Sequence, residues 1–156
     1  MSTEISADDP FDLERFVTAQ ESDFERALTE IRSGRKRTHW MWYVFPQVEG
    51  LGSSPTSSRY SIKSLEEARA YLAHPLLGPR LLAIAEAALA VEDRSAKDVF
   101  GSPDDLKLRS SATLFARVSL PGSVFDRLID KYFGGERDTR TLQLLGGTRE
   151  EETSDP

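Results

Sequence analysis

Hydrophobic positions along this chain recur at steps of three and four, a spacing that predicts helices almost throughout. The clearest stripe is Leu77, Leu81, Ile84, Ala88 and Val91, inside a helix expected over residues 76–92. Phe24, Ala27, Leu28 and Ile31 mark another. Ser22 and Glu25 read as its capping box and Gly34 as its end. Leu13, Phe16 and Val17 share one face of a short helix over 13–19, with Asp12 as its cap. Ser64 and Glu67 form a capping box before a helix over 65–73, which buries Ala68, Tyr71 and Leu72 and stops at His74-Pro75. Ser95 opens a helical turn reaching Phe100. Ser102-Pro103-Asp104-Asp105 reads as cap, proline at N1 and acidic first turn of a helix to about residue 118. Ser123 opens the next, with Val124, Leu128, Ile129 and Tyr132 inward and Gly134-Gly135 past its end. A last short helix covers 139–145.

Two stretches break this regularity. Residues 38–45, Thr-His-Trp-Met-Trp-Tyr-Val-Phe, suit a strand by composition. No second strand exists to pair with it, and a lone strand leaves its backbone groups unsatisfied. A short buried helix is therefore predicted, with Thr38 as cap, Pro46 as stop and Met41, Val44 and Phe45 in the core. Residues 49–58, rich in Gly, Ser and Pro, are predicted as a polar loop. The expected fold is all-α: a compact single domain of about seven to nine helices, several short. It would span residues 11–146, between a disordered tail at 1–10 and an acidic tail at 147–156.

Composition fits that picture and narrows the chemistry. The 156 residues suit a single core, and 38% hydrophobic with 29% charged residues is a globular balance. The longest apolar-rich run, residues 81–91, is broken by Glu86 and is far short of the roughly 20 residues a membrane span needs. The chain opens without a basic and apolar leader, so the cytoplasm is the expected location. With no cysteine there is no disulfide, thiolate metal site or cysteine nucleophile, and two histidines leave no histidine-rich metal site. No metal and no cofactor are expected. A net charge of −6 argues against nucleic acid as a partner. The basic cluster at residues 32–37 is the local exception. It suits either an anion site or a helix C-terminus, where cations complement the dipole.

The common glycine-rich, nucleophile-elbow and zinc-protease motifs are absent. Candidate chemistry lies instead in three places. His39 could act as acid or base near neutral pH, or be a core histidine bonded to a carbonyl. It is flanked by Arg35 and by Trp40 and Trp42, whose rings can stack on a base or a cation, or fill the core. Lys107, Ser110 and Thr113, at i, i+3 and i+6, could line an anion pocket, and a lysine–serine pair could serve as base and nucleophile. A solvated helix face would show the same spacing. Tyr60 follows the long loop and His74 ends a helix, positions that packing and the helix dipole also explain.

Two blocks make the sequence familiar: Gly34 through Gln47, containing His39-Trp40-Met41-Trp42-Tyr43-Val44-Phe45-Pro46-Gln47, and Gly101 through Phe115, containing Ser102-Pro103-Asp104-Asp105-Leu106-Lys107-Leu108. On these the chain resembles a bacterial family of domains of unknown function, some of whose members carry the genome label "calpastatin". The resemblance runs from about Phe11 to Leu145 and implies a mainly helical single domain. It brings no established activity. The residues themselves suggest a pocket for an anionic or nucleotide-like small molecule, lined by Arg35, Trp40, Gln47, Tyr60, Lys107, Ser110 and Thr113, with His39 as the acid or base. A protein-interaction module with an exposed apolar patch is the alternative. The oligomeric state is not written in the pattern.

Overall fold

The computed structural model describes residues 9–146, so most of the expected N-terminal tail and all of the acidic C-terminal tail lie outside the described residues. Ten helices occur among them: α1 (Glu14–Glu21), α2 (Phe24–Arg32), α3 (Met41–Val44), α4 (Pro55–Arg59), α5 (Leu65–Ala73), α6 (Leu77–Ala90), α7 (Ala96–Phe100), α8 (Asp104–Ala116), α9 (Val124–Phe133) and α10 (Thr139–Leu144). The fold is all-α. Nine helices fall where the hydrophobic pattern places them. The tenth, α4, lies in the stretch predicted as loop, and its start is local chemistry: Ser54 accepts from the Ser57 amide and Pro55 occupies the first turn. No strand forms among the described residues. A single parallel bridge joins Val48 and Ile62, with the Ile62 amide donating to the Gln47 carbonyl and the Glu49 amide to the Ile62 carbonyl, both at 2.9 Å.

Helix α6 packs against α2, α5 and α9, while α8 packs against α5, α7, α9 and α10. A run of aromatic rings threads this core. Phe16 and Tyr71 meet at 5.1 Å, Tyr71 and Phe115 at 5.4 Å, and Phe115 and Phe125 at 5.6 Å, which ties α1, α5, α8 and α9 together. Met41, Val44 and Phe45 are buried as the pattern predicts. The approach of α5 to α6 is close. A Cβ on Gly78 would lie 2.1 Å from the Leu72 carbonyl oxygen.

Caps with a short-range signature form as expected at Ser64, Ser95 and Ser123. Others move. Asp9, not Asp12, caps α1, accepting from the Leu13 and Glu14 amides at 2.7 and 2.9 Å. Ser22 ends α1 instead of opening α2, and Asp23 stands at the N-cap of α2. Pro103 sits at the N-cap of α8, one place before its predicted position. His74 Nδ1 accepts from the amides of Leu76 and Leu77 at 3.1 and 3.3 Å, so His74 caps the start of α6 in addition to ending α5.

The largest departure is Glu67. Its carboxylate accepts from the Lys63 amide at 2.9 Å and from the buried Arg15 guanidinium at 2.8 Å. Arg15 also donates to the carbonyls of Phe11, Asp12, Arg59 and Ser61, at 2.6–2.8 Å. Burying this guanidinium is tolerable because it is so fully bonded. The result holds α1 to the end of α4 and to α5.

Candidate functional site

The stretch from Gly34 to Gln47 is organised by a residue outside it. Gly34, at φ +90°, turns the chain out of α2. The next residues then fold back over Glu30. The Glu30 carboxylate accepts from the Arg37 amide (2.8 Å), the Thr38 amide (3.1 Å), the Thr38 hydroxyl (2.6 Å) and the Trp40 indole N–H (2.9 Å). Burial by itself would push this carboxyl up. The four hydrogen bonds outweigh it and hold Glu30 down at about 2. Thr38 thus serves Glu30 instead of capping α3. Trp40 is fully buried.

One turn of helix follows, and it sorts the next side chains. Met41 and Val44 face inward, while Trp42 is half-buried and faces out. Two lysines from distant parts of the sequence line one cleft with it. Lys36 Nζ lies 2.9 Å from Asp104 Oδ2, donates to the Thr38 carbonyl at 2.6 Å, and sits 4.9 Å from the centre of the Trp40 ring. Lys107 Nζ lies 3.5 Å from Asp104 Oδ1 and 4.8 Å from the centre of the Trp42 ring. The lysine side chains are 6% and 25% exposed, so one ammonium is nearly dry and the other is reachable. Lys36, His39, Met41, Trp42, Ser102, Pro103, Asp104 and Lys107 line a cleft of about 270 Å³. Two ammonium groups share one carboxylate here, which leaves net positive charge in a chain of net charge −6.

Trp42 also lines a second, smaller recess of about 20 Å³, together with Gln47, Val48, Glu49, Gly50, Gly52, Ser57, Ser58, Tyr60 and Ser61. Of the side chains predicted to form a pocket, His39 and Lys107 therefore meet in the cleft, and Gln47 and Tyr60 meet in the adjoining recess. Trp42 is the wall common to both.

The remaining four are placed elsewhere. Trp40 belongs to the core. Arg35 is exposed, away from both cavities, and its amide donates to the Glu30 carbonyl at 3.1 Å. Ser110 and Thr113 are buried, and their hydroxyls donate back to the carbonyls of Leu106 (3.2 Å) and Arg109 (2.8 Å). Helix geometry explains the split: six residues at about 100° each leave Thr113 roughly 120° around the helix from Lys107. Lys36, Ser102 and Asp104 are cleft residues the pattern did not single out, and Trp42 was named only as one of two rings beside His39. Asp104 carried only the signal of a first-turn acid, and Lys36 only that of a basic cluster.

Hydrogen bonding differs among the side chains considered for the site. The indole of Trp40 and the hydroxyls of Ser110 and Thr113 are all bonded. The His39 imidazole, the Trp42 indole N–H, the Ser102 hydroxyl, the Gln47 carboxamide and the Tyr60 hydroxyl make no hydrogen bond to any described residue. Among the described residues no three His, Cys, Asp or Glu side chains cluster so as to hold a metal ion. No described helix is long and apolar enough to cross a membrane.

Comparison with known proteins agrees with this fold. The chain is similar to a conserved hypothetical protein, Rv1873 from Mycobacterium tuberculosis, known from a crystal structure. The two are 56% identical, with a TM-score of 0.86, over 88% of this chain and 98% of that one. No curated protein matches. A family model described as "Protein of unknown function (DUF1810)" matches residues 10–145, which is nearly all of the described fold, and the chain belongs to that family.

Proposed function

We propose that this protein binds a small anionic molecule in the cleft between α3 and the start of α8. The observation that carries this reading is the pair of ammonium groups on Lys36 and Lys107 held by a single carboxylate, Asp104. Asp104 engages Lys36 closely and Lys107 loosely, so Lys107 is the cation left to meet an incoming anion. Charge-assisted hydrogen bonds of this kind are stronger than neutral ones, and more so in a partly dry cleft. His39 supplies a further donor and is the group in the cleft suited to proton transfer. Trp42 adds apolar surface for any ring the ligand carries, on the part of its indole that Lys107 does not cover. A cleft of about 270 Å³ lies just below the usual range for drug-sized ligands, so it suits a small metabolite or one end of a larger one.

The chain has two tryptophans, of which Trp40 is buried and Trp42 lines the cleft, so intrinsic fluorescence reports on the site. Titration with pyrophosphate and with nucleoside monophosphates should change the emission of the wild type, and Trp42→Phe should abolish the change. Lys107→Ala should weaken binding about 10- to 100-fold, the loss expected for one charge-assisted hydrogen bond. Equal affinity in wild type and Lys107→Ala, with both folded, would sink the reading.

A further inference from the structure

We infer that the ligand is an ester of phosphate carrying a neutral hydroxyl- or amide-bearing part, such as a sugar phosphate or nucleotide, and that Gln47 and Tyr60 read that neutral part in the recess beside Trp42. The inference rests on the anion site proposed above and adds a second subsite to it.

Two contrasts within the same molecule support it. The chain has four tyrosines. Tyr43 donates its hydroxyl to Asp23, Tyr71 bonds with Gln20, and Tyr132 donates to the Ala88 carbonyl at 2.6 Å. Tyr60 alone among them has no hydrogen-bond partner for its hydroxyl among the described residues. Yet its ring is held firmly, 5.3 Å from Tyr43 and 5.9 Å from Phe16. Gln20 shows how this fold treats a structural carboxamide: it is buried, and it donates to the Tyr43 carbonyl at 2.7 Å and to the Tyr71 hydroxyl at 3.0 Å. The Gln47 carboxamide, half-buried at the recess, has no such partner. Both polar ends are open to solvent at the recess, so they are free to bond a group that enters it.

The recess volume limits what arrives. About 20 Å³ holds roughly one water-sized group, so a hydroxyl or an amide edge enters and a ring does not. Gly52 keeps the rim narrow, since a Cβ there would lie 2.6 Å from Ser57 Oγ. The ring of the ligand then lies along Trp42, the wall shared with the cleft, and its phosphate reaches Lys107. A bare oxyanion would meet Lys107 in the cleft and leave Gln47 and Tyr60 unbonded. A site built to bond a substrate hydroxyl discriminates strongly against analogues lacking one.

The test is calorimetric titration of orthophosphate, ribose 5-phosphate and adenosine monophosphate into wild type, Gln47→Leu, Tyr60→Phe and Lys107→Ala. Both recess substitutions keep the packing shape. At least one ester should bind wild type tenfold or more tightly than orthophosphate does. Gln47→Leu and Tyr60→Phe should each reduce that advantage to about threefold or less while leaving orthophosphate affinity unchanged. Esters no tighter than orthophosphate, or an advantage that survives both substitutions, would overturn the second subsite and leave the anion site standing. Orthophosphate binding unaffected by Lys107→Ala would instead overturn the anion site, and the inference with it.

Discussion

Replacing Glu30 by alanine is expected to destabilise the protein by about 3–4 kcal/mol and to lower its melting temperature by roughly 10 °C. The carboxylate accepts four hydrogen bonds at 2.6–3.1 Å, and one donor, the Trp40 indole, is fully buried with no alternative partner. Losing the acceptor leaves that N–H dry and unbonded, and it frees the chain reversal that delivers Lys36 and Trp42 to the cleft. Thermal melts followed by tryptophan emission measure both effects, since Trp40 should become solvated. Glutamine at the same position should be milder, because its amide oxygen can still accept from Arg37, Thr38 and Trp40.

The two substitutions separate further with pH. Glu30 is held at about 2, below its ordinary 4.5, so its contribution to stability is complete above pH 4.5 and is lost as pH falls toward 2. That contribution is roughly 3 kcal/mol at neutral pH, from about 1.4 kcal/mol for each pH unit of difference. The wild type should therefore lose stability over that acid range by more than Glu30→Gln does. Parallel stability curves for the two proteins between pH 5 and 2 would show that the hydrogen bonds, and not the charge, matter.

Gly78→Ala is the second large effect, expected at about 3 kcal/mol destabilising, or roughly 6–12 °C in melting temperature. Alanine is ordinarily the better helix former by about 1 kcal/mol, so propensity predicts the opposite sign. Contact decides it. The new methyl carbon would lie 2.1 Å from the Leu72 carbonyl oxygen and 2.9 Å from its carbon, and both are backbone atoms that no rotamer change can move aside. Helices α5 and α6 would have to separate. Differential scanning calorimetry checks the sign. A raised melting temperature would mean that the end of α5 yields freely.

These two residues also show where reading the sequence stops. The helices were legible because their stripes and most serine caps are local: Ser64, Ser95 and Ser123 each bond an amide three residues on. Even α4 carried its signal in Ser54-Pro55, masked by the loop-like composition around it. The sorting of Trp40 from Trp42 was not legible. It depends on Glu30, on the preceding helix, whose spacing reads only as a helix residue. The site was half legible for the same reason. Lys107 and His39 could be named from their chemistry, but their meeting depends on Asp104 reaching Lys36 across 68 positions of chain. Ser110 and Thr113 looked equivalent to Lys107 because near-helical spacing hides the rotation that carries them into the core.

The buried Arg15 bears on the recess in one further way. Its guanidinium fastens the carbonyls of Arg59 and Ser61, the residues on either side of Tyr60. The backbone that carries the unbonded tyrosine hydroxyl is thus fixed before any ligand arrives. Binding there would require little ordering of the wall, so most of the interaction energy would appear as affinity.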